Sequence, residues 1–323
     1  MRGVRAWWLP VVAGVTLSAC GGDTTARSMA GPTAVSTPLP ATSLPAGTVL
    51  GVTSGETGGA LEGVSLVLAG HSYTSDGAGN VSLTEGAVPG ALLELRSPDT
   101  LDRETVLRAP GSARFTLWPR RSPTGLDEAY TRAVVYTWDD DKGGGNSPLY
   151  RLSGTQAALV PSSELLADPL AMAAHQRAAE AVNAGSGGGV HFVVAANPPA
   201  GAIPVTTVLD PRDKGCKDRV LAFTSIRLRG GEISSARIVF CNVQATRDGT
   251  VTHETGHSFG LGHSPDSGEV MHAFKLSRQA ENFGARESLV MRLMLQRHGG
   301  NRFPDNDRGV SSASSGEVTI VCE

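Results

Sequence analysis

The sequence has 323 residues, a formal net charge of -3 at pH 7, 40 glycines, 19 prolines and 5% aromatic residues. This length exceeds the usual single domain of about 100–200 residues, so we expect two folded units and some non-globular sequence. The charge balance lacks the basic excess that neutralises phosphates, which argues against a nucleic acid partner. The glycine and proline content favours short strands and turns over long helices.

Residues 1–19 have the layout of a secretory signal, because two arginines precede an apolar run from Ala6 to Leu17. The stretch Leu-Ser-Ala-Cys that ends at Cys20 resembles the bacterial lipobox. This resemblance implies that Cys20 is lipidated and begins the mature protein, and a plain signal peptide is the alternative. We therefore expect an exported lipoprotein of the cell envelope or cell surface, anchored to the membrane by its lipid, or alternatively a secreted protein.

Residues 20–46 contain mainly small residues and proline, which cannot repay the entropy of ordering, so they predict a flexible lipidated tether. Residues 47–119 alternate short β-type runs with glycine-rich turns and predict a small antiparallel β-sandwich. The predicted strands are Thr48–Val52, Val64–Leu68, Val81–Leu83 and Ala91–Leu95.

Three short motifs in this region read GVSLVL at 63–68, YTSDG at 73–77 and GNV at 79–81. They resemble carboxypeptidase-regulatory-like domains, also called prealbumin-like domains. The resemblance implies an all-β module that acts as a spacer or an adhesive unit.

A proline- and arginine-rich joint at 120–127 predicts a linker before a second unit at 128–323. The run Tyr130–Trp138 is rich in Val, Tyr, Thr and Trp and predicts a strand. Asp168 as N-cap and Pro169 at the first helical position predict a helix that ends before Gly185.

Further strands are predicted at Val190–Ala195, Arg219–Leu228 and Ile233–Cys241, and the last two would form a hairpin. With glycines at the tip of this hairpin, Cys216 lies only a few residues beyond Cys241 on the neighbouring strand, so a disulfide between them is reasonable. Because Cys322 is also present, three pairings remain open from the sequence.

The strongest motif is HETGHSFGLGHS at residues 253–264, which contains the zinc pattern H-E-x-x-H. On a helix, His253 and His257 lie one turn apart and direct two imidazoles at one point. Gly260 can adopt positive φ and end the helix, so that His263 supplies a third ligand. Glu254 lies about 100° round the helix from His253, which suits a catalytic base rather than a ligand.

Three nitrogen ligands would leave an open position on one catalytic Zn²⁺, where bound water has its pKa lowered toward about 7. The extended motif, together with Ser264 and Met271, resembles the metzincins and specifically their matrixin branch over residues 128–300. The resemblance implies an α+β catalytic domain with a mixed twisted sheet, a zinc-site helix, a Met-turn at Met271 beneath the metal, and a closing helix near 287–298.

The chain departs from the matrixin pattern after the methionine, where His272 and Ala273 replace the common Tyr-Pro, so the specificity pocket is not carried over. His272 could be a fourth ligand, but we expect it to line the cleft or face solvent. Acidic stretches at 139–141 and 305–307 could contribute to calcium binding, although a solvated loop and a turn account for them more simply.

These observations predict a zinc metalloendopeptidase that hydrolyses peptide bonds of extracellular or envelope proteins, with Glu254 activating the zinc-bound water. The substrate would lie extended along Arg219–Leu228 and pair with the backbone at its edge. The alternative is a surface adhesin or binding lipoprotein whose zinc serves only stability.

Overall fold

The computed structural model describes residues 44–107, 113–138, 147–217, 219–274, 280–308 and 316–322. The predicted signal at 1–19, the lipidation site Cys20, most of the tether and the acidic stretch at 139–141 lie outside these residues. The chain from Ala41 onward forms one compact unit that contains two hydrophobic cores. Within the described ranges, no helix has the length and apolar character needed to cross a membrane.

The first core lies between two small β-sheets. Their strands are β1 Val49–Ser54, β2 Ser65–Leu68, β3 His71–Thr74, β4 Asn80–Ser82, β5 Leu92–Arg96, β6 Arg103–Val106 and β7 Arg114–Leu117. The sheets have the orders β4-β1-β7 and β3-β2-β5-β6. Leu50 and Val52 of β1 and Leu66 of β2 are fully buried in the shared core. The four predicted strands overlap β1, β2, β4 and β5, but β1 and β7 pair in parallel, so the sandwich is not wholly antiparallel.

The second half of the chain builds one large mixed sheet with helices packed on it. Its elements are α1 Glu128–Tyr136, β8 Arg151–Leu152, β9 Gln156–Pro161, α2 Ser163–Leu166, α3 Pro169–Gly185, β10 His191–Val194, β11 Ile203–Leu209, β12 Ala222–Arg229, β13 Glu232–Phe240, α4 Thr250–Phe259, α5 Ala285–Met294 and β14 Gly316–Cys322. The sheet order is β10-β9-β11-β13-β12-β14, with β8 beside β13. The strands β10, β9, β11 and β13 run parallel to one another, and β12 is antiparallel to both of its neighbours. The predicted α+β class is therefore confirmed.

The strand predicted at Tyr130–Trp138 is wrong, because this segment forms helix α1. The side chain of Asp127 accepts a hydrogen bond from the backbone N–H of Tyr130 and caps the helix. Tyr130, Val134 and Val135 are buried on one helical face. The strand prediction relied on β-type composition alone, and burial of this face against the core overrides the propensity of the individual residues.

Helix α3 begins as predicted, with Asp168 capping the backbone N–H groups of Leu170 and Ala171. Gly185 is its last residue rather than the stop beyond its end. A Cβ at this glycine would lie 2.8 Å from the sulfur of Met291, so Gly185 is needed for the close approach of α3 to α5.

The predicted hairpin is formed by β12 and β13, with Gly230 and Gly231 in positive-φ conformations at its tip. Cys216 and Cys241 form a disulfide with a Cα–Cα distance of 5.3 Å. The bridge fastens the loop before β12 to the end of β13.

Four charged side chains join the sandwich to the second half, and we call them the arginine–aspartate cluster: Arg103, Arg297, Asp305 and Asp307. Arg297 and Asp305 have fully buried side chains whose charged groups are 2.6 Å apart. Asp307 lies 2.9 Å from Arg103 of β6. The carboxylates considered for calcium at 305–307 are thus paired with arginines inside the protein.

Candidate metal centre

Helix α4 carries two of the three predicted ligands. Thr250–Phe259 is buried along its whole length, and α4 packs against α3, β12 and β13. His253 and His257 are one turn apart on this helix, and their Nε2 atoms are 3.0 Å apart. The helical spacing therefore brings two imidazole nitrogens to one point, as the sequence predicts.

The turn after α4 delivers the third histidine. Gly260 ends the helix with φ 119°, and a Cβ at this position would collide with the carbonyl oxygen of Tyr150. Trp138 donates its indole N–H to the carbonyl of Gly260 at 2.8 Å, and the backbone N–H of Gly262 bonds to Val134 at 2.7 Å. Both contacts come from α1 and the residues just after it, so α1 fixes the path of the chain into His263.

The three histidines form what we call the histidine cluster: His253, His257 and His263. One ring nitrogen of each lies within 4.8 Å of the others. His253 and His257 are 4% and 0% exposed, whereas His263 is partly exposed. One partly open side gives the cluster a route to solvent.

Backbone carbonyls orient the two helical imidazoles. The Nδ1 atom of His253 lies 2.6 Å from the carbonyl oxygen of Val270, and that of His257 lies 2.7 Å from the carbonyl oxygen of Leu261. A carbonyl only accepts, so Nδ1 carries the proton and donates it, and each Nε2 presents a lone pair. This arrangement is the usual support of metal-binding histidines.

Burial keeps these imidazoles neutral. Burial, together with a smaller contribution from the neighbouring His263, lowers the pKa of His253 to about 3. Burial also holds the pKa of His257 well below its usual value, with added repulsion from His253 and His263. Because metals bind the neutral ring, these histidines are ready to coordinate at pH 7.

Glu254 follows His253 on α4 and is fully buried. Thr224 of β12 donates its hydroxyl to Oε2 of Glu254 at 2.5 Å. The carboxylate is therefore positioned by the central part of β12. Thr224 is a contact that the sequence alone does not indicate, because it depends on the packing of α4 against the sheet.

Met271 lies beneath the α4 histidines, where its sulfur occupies the space that a side chain at Gly256 would fill. It is completely buried, and its backbone N–H donates to Oε1 of Glu287 at 2.9 Å. The carbonyl of Met271 in turn accepts from the N–H of Ser264 at 2.7 Å. This turn stands where the Met-turn is expected, and Glu287 is a supporting residue that sequence reasoning missed.

Glu287 belongs to α5 and is completely buried. Its Oε2 accepts from the backbone N–H of Gly284, so the carboxyl group ties the start of α5 to the methionine turn. Burial raises the pKa of Glu287 to about 7, despite these two backbone hydrogen bonds.

His272 stays outside the histidine cluster and is partly exposed. Its Nδ1 lies 2.9 Å from the carbonyl oxygen of Phe274. An open cavity of about 930 Å³ reaches His263 and is also lined by Phe223, Ser225 and Phe274. This cavity is the candidate binding cleft.

The strand expected to receive substrate is paired on both sides. The prediction of a substrate-binding edge at Arg219–Leu228 requires an open edge, but β12 (Ala222–Arg229) lies between β13 and β14. The sequence of β14 alternates apolar and polar residues, which indicates a strand, but its partner in the sheet cannot be read from this pattern.

The histidine cluster fits a divalent metal ion. Three imidazoles with one ring nitrogen each within 4.8 Å of the others suit zinc and related transition metals, and Glu254 follows the first of them on α4. No protein-family model matches the sequence, and no curated protein matches it significantly.

Proposed function

We propose that this protein is a zinc-dependent endopeptidase that acts on extracellular or envelope proteins. The observation that carries the proposal is the convergence of three imidazoles beside the positioned carboxylate of Glu254. The same residues form an H-E-x-x-H helix followed by a third histidine, which is the pattern of metallopeptidases. A purely structural zinc site has no need of a neighbouring positioned carboxylate.

Each residue has a definite role in this proposal. His253, His257 and His263 hold the ion, and bound zinc supplies a lowered water pKa and polarises the scissile carbonyl. Glu254 accepts a proton from the attacking water and returns it to the leaving amine. The hydroxyl of Thr224 keeps one oxygen of Glu254 fixed, so that the other oxygen serves proton transfer.

The arrangement around the cluster supports a metzincin-like assignment in the matrixin branch. The supporting features are the mixed sheet, the buried α4, the glycine that ends it, Met271 against Gly256, and α5 behind the methionine turn. The Cys216–Cys241 disulfide supports an exported protein, because such bonds persist in oxidising compartments. Export through the segment 1–19 and lipidation at Cys20 are part of the same proposal.

The test incubates the full chain with a denatured protein mixture, with one equivalent of zinc or with a chelator, and maps new peptide termini by mass spectrometry. Glu254→Gln should retain zinc but lower the rate of cleavage by about 10³-fold. Glu281→Gln, a change at an exposed glutamate, is the matched control and should cleave normally. Cleavage that survives both the chelator and Glu254→Gln would contradict the proposal. Bound zinc without cleavage, even in a variant whose strand β14 no longer pairs with β12, would favour the adhesin alternative.

A further inference from the structure

Strand β14 (Gly316–Cys322) fills the outer edge of β12. Seven residue pairs align the two strands antiparallel, from Ala222 opposite Cys322 to Leu228 opposite Gly316. An extended peptide that binds by adding a strand to this sheet would take the same place, because the other edge of β12 belongs to β13. The chain therefore occupies the position that the proposed function assigns to substrate.

The register places β14 directly at the proposed base. Ile320 lies opposite Thr224, whose hydroxyl bonds to the carboxylate of Glu254. Ile320 is 4% exposed and belongs to the same hydrophobic core as α4, while Glu254 is 0% exposed. A base that must receive water and peptide is thus covered in this conformation, and β14 pairs with the strand residue that holds it.

The attachment of β14 is weaker than that of β13. Ile320 is buried and Val318 partly buried, whereas Glu317, Thr319 and Val321 are exposed. On the exposed face, the hydroxyl of Thr319 lies 2.7 Å from that of Ser225. By contrast, β13 buries a series of side chains, namely Ile233, Ala236, Ile238, Val239 and Phe240. A strand held by few buried side chains can open locally without unfolding the domain.

We propose that β14 is an intramolecular pseudosubstrate that keeps the peptidase latent, and that its release opens β12 to an extended peptide with an aliphatic residue opposite Thr224. This inference rests on the proposed function for its consequence in catalysis. Because β14 is part of the same chain, its local concentration is on the order of mM, so a substrate at micromolar concentration competes poorly with it. Latency is therefore built into the sheet itself.

The first test uses a fluorescein-labelled peptide with the sequence Gly-Glu-Val-Thr-Ile-Val of residues 316–321, and measures its binding to the full chain by anisotropy. Ile320→Asp places a charge on the buried face of β14 and should expel the strand. Thr206→Asp introduces the same charge at an exposed position of β11, away from the cleft, and should leave the strand bound, and Ile320→Val should also keep it bound. We expect the labelled peptide to bind Ile320→Asp at least tenfold more tightly than the other three chains.

Cleavage of a model peptide is measured on the same four chains, with zinc content and thermal unfolding as checks on folding. Higher cleavage by Ile320→Asp alone supports both proposals. Tighter peptide binding without cleavage in any chain would refute the peptidase and leave the pseudosubstrate strand intact. Equal binding and equal cleavage in all four folded chains would overturn the inference while the peptidase stands.

The second test uses the unaltered chain, so it does not depend on a variant that folds. Amide hydrogen exchange should be at least tenfold faster in β14 than in β13, because β14 opens locally. Equal protection of the two strands would show that β14 does not leave β12 before the sheet unfolds, and would overturn the inference.

Discussion

The arginine–aspartate cluster and the histidine cluster both consist of largely buried polar side chains, and they differ in charge. The arginine–aspartate cluster pairs cations with anions, as in the 2.6 Å contact between Arg297 and Asp305. The histidine cluster brings together three bases, and burial keeps two of them, His253 and His257, neutral. The first group satisfies its charges within the protein and joins two regions of the fold.

The second group instead brings three ring nitrogens within 4.8 Å of one another, an arrangement that a metal cation would complete. Burial of polar groups alone therefore does not mark a functional site. What distinguishes the histidine cluster is convergence of donors of one kind, fixed by the carbonyls of Val270 and Leu261.

Removal of one converging imidazole should destroy metal binding. We expect His257→Ala to weaken zinc binding by about 10³-fold, or about 4 kcal/mol, as measured by competition with a chromophoric chelator. His175→Ala is the matched control, because His175 is equally buried but its ring nitrogens contact Ala171 and Thr207. Equal zinc affinity in the two variants would contradict the assignment of the histidine cluster.

Removal of one member of the charge-paired group should affect stability and leave zinc binding unchanged. Arg297→Met leaves the buried Asp305 without its arginine, and we expect the free energy of unfolding to fall by about 3–5 kcal/mol in urea titrations. The double variant Arg297→Met/Asp305→Leu should recover part of this loss, because no unpaired charge remains. If either variant folds but no longer binds zinc, the arginine–aspartate cluster would not be purely structural, which would contradict this prediction.

The pH dependence of stability should reveal Glu287. Its folded pKa is about 7 and its unfolded value is 4.5. Between these values the unfolded chain releases the proton that the folded protein keeps, so the free energy of unfolding falls as pH rises. The stabilisation by the protonated Glu287 carboxyl group is fully present below pH 4.5 and is lost above pH 7. It amounts to about 3 kcal/mol.

Glu287→Gln should lack this slope in urea titrations across the same window, because the amide does not ionise. Glu317→Gln, at an exposed glutamate, should follow the parent chain. Parallel pH profiles for Glu287→Gln and the parent would show that this carboxyl group is not buried as the structure places it.

The smallest effect concerns the residue that positions the base. Thr224→Val keeps the shape of the side chain but removes its hydrogen bond to Glu254. We expect kcat/KM for peptide cleavage to fall roughly tenfold, with zinc affinity unchanged. Thr206→Val on β11 is the control and should retain full activity. An unchanged rate in Thr224→Val would mean that Glu254 does not depend on β12.

The sequence predicts local features of this molecule better than distant contacts. Spacing within residues 253–263 places the histidine cluster, because a helix and one glycine turn determine it. Capping by Asp168 likewise determines the start of α3. The strand prediction at Tyr130–Trp138 failed because it relied on β-type composition, whereas Asp127 caps a helix in this segment.

The support of the site depends on residues far apart in the chain. Thr224 contacts Glu254 only because α4 packs on β12, and Glu287 reaches Met271 from another helix. The occupation of β12 by β14 also depends on which strands meet in the sheet. Such pairings follow from the packing of whole elements, and no local pattern encodes them.

X-ray absorption at the zinc edge of the full chain, loaded with one equivalent of zinc, tests the histidine site most directly. We expect three imidazole nitrogens and one oxygen at about 2.0–2.1 Å, and the loss of one imidazole in His263→Ala. A sulfur ligand, an all-oxygen shell, or a spectrum unchanged by His263→Ala would contradict a zinc site formed by His253, His257 and His263.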